Sequence, residues 1–292
     1  MKRALIIGCG YTGAALAEKL VAAGISVVGT TTASHSKHLA PRFGLRTLDL
    51  TAAAGQLDLR EAAGAVVYYM VSTLERSYLE QGPHLAPMQR CLDALSEQSI
   101  EGLIYLSSTS VYGDRQGGWV DERSEVTPGS PWGRMRVELE QAVWSFGRRA
   151  GVPACVVRLP EIYGPGRGPV ERLARSDHVI RYPQRYSNRI HLDDLVTTLA
   201  LLGQRRDQPL LLAADSLPAT TLEVYQFTAD RMGLPLVVGS PQEAPDPNRR
   251  ALMQESKRCR NARLLSWLGR PLRYPSYHDG ITAILGSRPG CG

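Results

Sequence analysis

The chain has 292 residues, enough to bury a sizeable core as one large domain or as a domain with a lobe. Its hydrophobic fraction of 43% and charged fraction of 21% are those of a soluble globular protein, and no apolar run approaches the roughly 20 residues of a membrane span. The net charge of +6 is spread in short pairs (Arg148-Arg149, Arg205-Arg206, Arg249-Arg250), without a long basic run or interleaved aromatics. This argues against nucleic acid as a partner and suits an anionic ligand.

The N-terminal segment has the charge of a signal peptide in Lys2-Arg3, but Ala4–Ile7 is too short for its apolar region. The five cysteines (Cys9, Cys91, Cys155, Cys259, Cys291) are scattered and form no C-x-x-C pair. They read as free thiols, and the expected location is the cytoplasm. The six histidines are equally dispersed, so no metal site is expected.

In chain order, the apolar run Ala4–Ile7 predicts a buried strand. Gly8-Cys9-Gly10-Tyr11-Thr12-Gly13 follows, and then the helical pattern Ala14–Leu20. A G-x-G-x-x-G turn between strand and helix is a dinucleotide-binding arrangement. The first glycine allows the tight turn, the second lets a pyrophosphate approach the backbone, and the third lets helix and strand pack closely. The pyrophosphate would sit on the exposed N–H groups and positive dipole end of the helix, at Gly8, Gly10, Tyr11, Thr12 and Gly13. The plain alternative is a βα turn whose glycines serve packing only.

Further strands are expected at Ser26–Thr31, Leu45–Leu50, Ala65–Val71, Gly102–Ser108 and Ala154–Leu159, with helical patterns at Pro83–Ser99 and Pro131–Ala150. This β-α alternation implies a Rossmann-type α/β fold, a doubly wound parallel sheet with a smaller C-terminal substrate-binding lobe. After Leu159 the pattern loosens: residues 160–189 are rich in Gly, Pro and Arg. Leu192–Leu202 is again helical, Leu210–Ala214 is a strand, Thr220–Met232 is a helix ending at Gly233, and Asn261–Leu268 is a helix stopped by Gly269. Pro241–Pro247 reads as a surface loop and Gly286–Gly292 as a frayed tail. The expected division is residues 1–165 with 190–215 for the dinucleotide and 166–189 with 216–292 for the substrate.

The end of the second strand bears on the cofactor. NAD binders usually carry Asp or Glu there to hold the ribose 2′-hydroxyl. Here Thr30-Thr31-Thr32 precede Ser34, His35, Lys37 and His38. A carboxylate would repel a 2′-phosphate, whereas hydroxyls and a cation would accept it, so Thr31 and Thr32 favour NADP over NAD. Asp49-Leu50 closes the third strand, where the Asp is placed to accept from the adenine amino group.

Four further segments carry a family resemblance. Leu106-Ser107-Ser108-Thr109-Ser110-Val111-Tyr112-Gly113-Asp114, Arg158-Leu159-Pro160-Glu161-Ile162-Tyr163-Gly164-Pro165-Gly166, Arg189-Ile190-His191-Leu192-Asp193-Asp194-Leu195 and Asn261–Gly269 follow one another in order. With the glycine loop, they resemble the extended short-chain dehydrogenase/reductase family, the NAD-dependent epimerase/dehydratase group. The resemblance implies a cofactor site that also includes Val71, Ser107, Arg136, Pro160 and Ile162. It also implies a small-molecule substrate, and a homodimer formed through helices that include Pro131–Ala150.

That family uses a Tyr and a Lys four residues apart, with a Ser or Thr polarising the substrate oxygen. This chain has Pro131-Trp132-Gly133-Arg134-Met135-Arg136 in that segment. Trp132 stands for the Tyr and Arg136 for the Lys. An indole donates a hydrogen bond but does not cycle a proton near neutral pH, and a guanidinium is effectively never deprotonated. The departure resembles the atypical YeeZ-like branch of the family, which lacks the Tyr/Lys pair.

The catalytic group is therefore expected to be Ser108, Arg136 and Trp132, with the proton supplied from elsewhere. Candidates on the substrate side are Thr109, Tyr112, Glu161, Arg167 and His191. Tyr112 and Tyr163 are mostly structural in the family. Glu161 is either a general base or a salt-bridged residue beside Arg158 or Arg167. His191 is a proton carrier or a helix-entry residue that positions a loop. Arg167, Arg172, Arg185 and Arg189 either bind a substrate phosphate or carboxylate or are solvated charges. The leading expectation is NADP-dependent reduction of a small anionic substrate. The alternatives are a non-enzymatic NADP-binding regulator or scaffold and a nucleotide-sugar epimerase.

Overall fold

The computed structural model describes residues 1–32, 42–52, 55–71, 85–175, 179–180, 182–239 and 253–287. The chain divides into two compact units. The first comprises Met1–Ser107, Met135–Val157 and Val196–Leu211, and the second Ser108–Arg134, Arg158–Leu195 and Leu212–Gly292.

The first unit is built on the strands of one seven-stranded sheet: β1 (Arg3–Ile7), β2 (Ser26–Thr31), β3 (Gly44–Thr47), β4 (Val66–Tyr69), β5 (Gly102–Ser108), β6 (Ala154–Leu159) and β7 (Leu210–Leu212). The spatial order is β7-β6-β5-β4-β1-β2-β3, and every pairing from β3 across to β5 is parallel. The order reverses between β1 and β4, the switch point where Rossmann-type sheets open a crevice for ligands. Both central strands are apolar on each face, as a parallel sheet covered on two sides requires: Leu5, Ile6, Ile7, Val66, Val67 and Tyr68 are fully buried. The helices of this unit are α1 (Tyr11–Ala22), α2 (Leu85–Ser96), α3 (Pro131–Ala150) and α5 (Leu192–Arg205), while the short α4 (Pro169–Leu173), which precedes α5 in the chain, belongs to the second unit.

Three strands are shorter than expected, among them β7, which ends at Leu212 rather than Ala214. β3 stops at Thr47 because Asp49 folds onto Thr51, its Oδ1 accepting from Thr51 N at 2.8 Å and Oγ1 at 2.6 Å. This side-chain turn competes with extension of the ladder. β4 ends at Tyr69, and Met70 N then donates to Ile7 O at 2.8 Å.

The second unit is assembled from short strand pairs and helices. Glu161–Tyr163 runs parallel to Arg189–His191, and Trp119–Val120 parallel to Arg258–Cys259. Helix α6 (Thr221–Met232) starts with a reciprocal capping box between Thr220 and Glu223 and ends at Gly233, whose φ of 64° suits a left-handed cap. Helix α7 (Ala262–Leu268) ends likewise at Gly269. Helix α8 (Tyr277–Gly286) has a second capping box, Ser276 with Asp279. The tail expected from Gly286 thus begins no earlier than the end of α8, and residues 288–292 lie outside the described region, as does Pro241–Pro247. A core of Tyr163, Val170, Ala219, Val224, Tyr277, Ile281 and Ile284 holds α4, α6 and α8 together. Among the described residues no helix is long and apolar enough to cross a membrane.

Candidate cofactor and substrate sites

Each glycine of the β1–α1 loop meets a different constraint. Gly8 has φ of 90°, and a β-carbon there would lie 2.8 Å from Val71 N, so the loop rests against the end of β4. Around Gly10 a β-carbon would find no atom within 4 Å. At Gly13 it would press on Gly8 O and Ile6 Cγ2, both at 3.1 Å. The turn, the open approach and the close helix–strand contact occur in the order that a pyrophosphate-binding loop needs. Helix α1 begins at Tyr11 and Thr12 with no side-chain cap from Gly10 and no acidic residue in its first turn, which leaves its positive end suited to an anion. Cys9 is fully buried against Gly29, and burial pushes its thiol up to about 11.

Thr30 and Thr31 are buried at the end of β2, where Thr30 O accepts from Gly8 N and Cys9 N, while Thr32 is exposed. Ser34, His35, Lys37 and His38 lie outside the described residues. Asp49 is exposed, and its hydrogen bonds from Thr51 hold the carboxyl below its ordinary range. Leu50 is buried, and its carbonyl accepts from Arg90 Nη2 at 2.8 Å.

The end of β5 meets α3 through two polar contacts. Ser107 Oγ donates to Glu140 Oε1 at 2.6 Å, both residues being buried. Arg136 Nη1 donates to Tyr105 Oη at 2.8 Å and to Leu106 O at 3.2 Å. The residue standing in the family's Lys position is thus held against β5.

In the second unit, Ser108 caps the tight turn Thr109–Tyr112, its Oγ accepting from Ser110 N at 3.1 Å. A β-carbon on Gly133 would lie 2.6 Å from Ser110 O and 2.7 Å from Pro128 Cβ, so the start of α3 sits directly on this turn. Trp132, beside Gly133, is buried. Tyr112 is fully buried with Arg158 over its ring at 4.9 Å. Burial, opposed by Arg158, pushes its phenol up to about 12, so it keeps its proton near neutral pH and does not cycle it. Tyr163 is likewise buried, with its phenol raised by burial.

Glu161 lies half-buried between Pro160 and Ile162. The parallel register sets Glu161 opposite Arg189, Ile162 opposite Ile190 and Tyr163 opposite His191. The Glu161 carboxylate pairs with Arg172 and lies 3.8 Å from Arg189 Nη2, whereas Arg158 and Arg167 were the expected partners. The sequence could not anticipate this, because strand pairing and α4 bring the arginines in. Burial works to raise the Glu161 pKa, but Arg172, Arg189 and Arg185 together leave it lowered, which makes the carboxylate a weak base. Arg167 is exposed in the Gly164–Arg167 turn.

His191 is buried, and its Nδ1 accepts from Asp193 N at 3.2 Å, at the start of α5. Its ring packs edge-on to Tyr163 and against Tyr274, and burial lowers its pKa despite Asp193 and Asp194. Asp194 accepts from Arg273 N at 2.7 Å and Tyr274 N at 2.8 Å. Asp215, which carried no expectation, is 1% exposed, and burial pushes its carboxyl up to about 8. Among the described residues no three His, Cys, Asp or Glu side chains gather as a metal site.

Comparison with known proteins agrees with this architecture. The protein YeeZ of Escherichia coli K12 is 30% identical over 215 residues, covering 70% of this chain and 74% of its own. A conserved protein of unknown function from Silicibacter pomeroyi DSS has a structure that superposes with a TM-score of 0.81 at 30% identity, over 98% of this chain and 99% of its own. MoeE5, solved in complex with UDP-glucose and NAD, superposes with a TM-score of 0.77 at 23% identity over 97% of both chains, a likeness of fold. The model of the NAD dependent epimerase/dehydratase family matches residues 4–208, and the chain belongs to that family.

Proposed function

We propose that the chain is an NADP-dependent oxidoreductase acting on a small anionic substrate. The observation that carries this reading is the glycine loop, open at Gly10, closed at Gly13, and followed by a β2 end of threonines without a carboxylate. Gly8, Gly10, Tyr11, Thr12 and Gly13 would hold the pyrophosphate, Thr31 and Thr32 the 2′-phosphate side, and Asp49 and Leu50 the adenine. Val71, Ser107, Arg136, Pro160 and Ile162 would complete the cofactor site. When bound, the nicotinamide supplies a hydride. Ser108 would polarise the substrate oxygen, with Arg136 and Trp132 as fixed donors, and Thr109 with the second unit's arginines orienting the substrate. Neither Trp132 nor Arg136 cycles a proton, so the single proton of a reduction comes from water or substrate. This favours reduction over epimerisation, which the nucleotide-sugar-bound relative keeps as an alternative.

The test is cofactor fluorescence with NADPH and NADH, followed by turnover against carbonyl, imine and nucleotide-sugar panels. The reading expects NADPH to bind at least about tenfold tighter and to be consumed with some substrate. Equal binding of both cofactors would overturn the NADP preference. The loss of the Tyr/Lys pair supports a second reading, a non-enzymatic NADP-binding regulator. Tight cofactor binding with no turnover, in the wild type and in the double variant Trp132→Tyr, Arg136→Lys, would favour it.

A further inference from the structure

Arg136 is held at one edge only. Its Nη1 carries two N–H groups and makes two hydrogen bonds, to Tyr105 Oη at 2.8 Å and to Leu106 O at 3.2 Å. Among the described residues its Nε and Nη2 have no hydrogen-bond partner, and the side chain is only half-buried. Tyr105 is fully buried, with its ring edge-on to Tyr69 at 6.1 Å, so the hydroxyl that Arg136 meets is fixed in place. Burial raises the Tyr105 pKa against the pull of Arg136, which keeps the phenol neutral. Tyr105 is thus an anchoring post and not a proton donor.

The level of this anchor in the sheet decides what Arg136 can reach. Ile7 lies opposite Tyr69, and Tyr69 opposite Tyr105. One row therefore runs from the last residue of β1, directly before Gly8, to the residue that holds Arg136. The row crosses two strand spacings, roughly 10 Å. A pyrophosphate on the Gly8–Gly13 turn would lie at one end of it. A dinucleotide crossing the carboxyl ends of β4 and β5 would bring its next group, the ribose that carries the nicotinamide, toward the other end. The two vicinal hydroxyl oxygens of that ribose match what Arg136 has left, parallel N–H groups on Nε and Nη2 in the fixed fork of a guanidinium.

We propose that Tyr105 is a positioning residue for the cofactor, turning Arg136 so that its Nε–Nη2 edge takes both hydroxyls of the nicotinamide ribose. This rests on the dinucleotide reading above and adds a residue that reading does not contain. A lysine at position 136 would be a compact charge with rotatable donors and would need no such anchor; a planar fork binds two oxygens only when its edge is aimed.

The test is calorimetric titration of the full chain, wild type and Tyr105→Phe, with NADPH and with two of its fragments. One fragment, 2′-phospho-ADP-ribose, keeps the second ribose; the other, adenosine 2′,5′-bisphosphate, lacks it. Tyr105→Phe is expected to bind NADPH and the ribose-bearing fragment about fivefold more weakly, and the bisphosphate as the wild type does. Arg136→Met should weaken the first two about tenfold, and adding Tyr105→Phe to it should weaken them no further. A merely structural Tyr105 would shift all three ligands alike or none, and either result overturns the proposal. A further loss in the Arg136→Met background overturns it as well. Thermal melts check the fold of each variant, and Phe keeps the buried ring. If the wild type binds NADH as tightly as NADPH, the same comparison is made with NADH, ADP-ribose and ADP. The two readings are separated by the wild type: a chain that binds no dinucleotide overturns both, whereas cofactor binding that Tyr105→Phe leaves intact rejects only the role of Tyr105.

Discussion

Gly280 in α8 and the ring of Tyr163 occupy one another's space: a β-carbon on Gly280 would land on the Tyr163 hydroxyl and 2.7 Å from Cε2 and Cζ. The ring is fully buried and its hydroxyl donates to Ser276 O at 3.3 Å, so it has nowhere to retreat. Ala is preferred over Gly in a helix interior by about 1 kcal/mol, but overpacking a filled core costs about 1–3 kcal/mol. Gly280→Ala is expected to lower the thermal midpoint rather than raise it. Adding Tyr163→Phe should return part of the loss, a coupling that a double-mutant cycle in urea measures.

The glycine loop allows a sharper separation of folding from binding. Gly10→Ala adds a methyl group where no protein atom lies within 4 Å, so stability should move by no more than about 0.5 kcal/mol. The same methyl stands in the path of a pyrophosphate, and NADPH affinity should fall at least about tenfold. Gly13→Ala, with contacts at 3.1 Å to Gly8 O and Ile6 Cγ2, should cost stability by about 1–3 kcal/mol. Thermal melts with and without NADPH distinguish the two; equal effects on both quantities would contradict the division of roles.

Asp215 makes stability depend on pH. Its folded-state pKa of about 8 lies far above that of an unfolded aspartate, so the native state binds the extra proton between those values. The favourable contribution is fully present below the unfolded value, near pH 4, and is lost as pH rises to about 8. Asp215→Asn keeps an acceptor for Leu217 N, now held by Asp215 Oδ1 at 3.3 Å, and should flatten that decline in urea titrations across the range. An unchanged slope would show that Asp215 is ionised in the native state.

Ser107 and Glu140 form a buried contact between β5 and α3. Ser107→Ala removes a donor from a buried carboxylate and should cost about 1–3 kcal/mol, whereas Ser107→Thr should recover most of it. Denaturation by urea reads both.

The parts of the fold that were legible in the sequence are those whose causes are local. The strand–glycine–helix start and the glycine ends of α6 and α7 each need only a few neighbouring residues. The capping boxes of α6 and α8, Thr220 with Glu223 and Ser276 with Asp279, are equally local in cause. The overlong third strand has a local cause as well, since Asp49 prefers its own turn to the ladder. Glu161 is different in kind. Its partners lie on α4 and on a strand paired in parallel, and no spacing rule connects them. The protonation of Asp215 is equally invisible, because it depends on burial by segments distant in the chain.

Asp194 extends this point to the end of the chain. It belongs to a short motif at the start of α5, yet its two oxygens receive the backbone of Arg273 and Tyr274, about 80 residues further on. The motif therefore works as a clasp for the segment that delivers α8, and α8 in turn roofs Tyr163. A fragment ending at Gly269 would keep every recognisable motif of the family and still be left with an open clasp and an uncovered core.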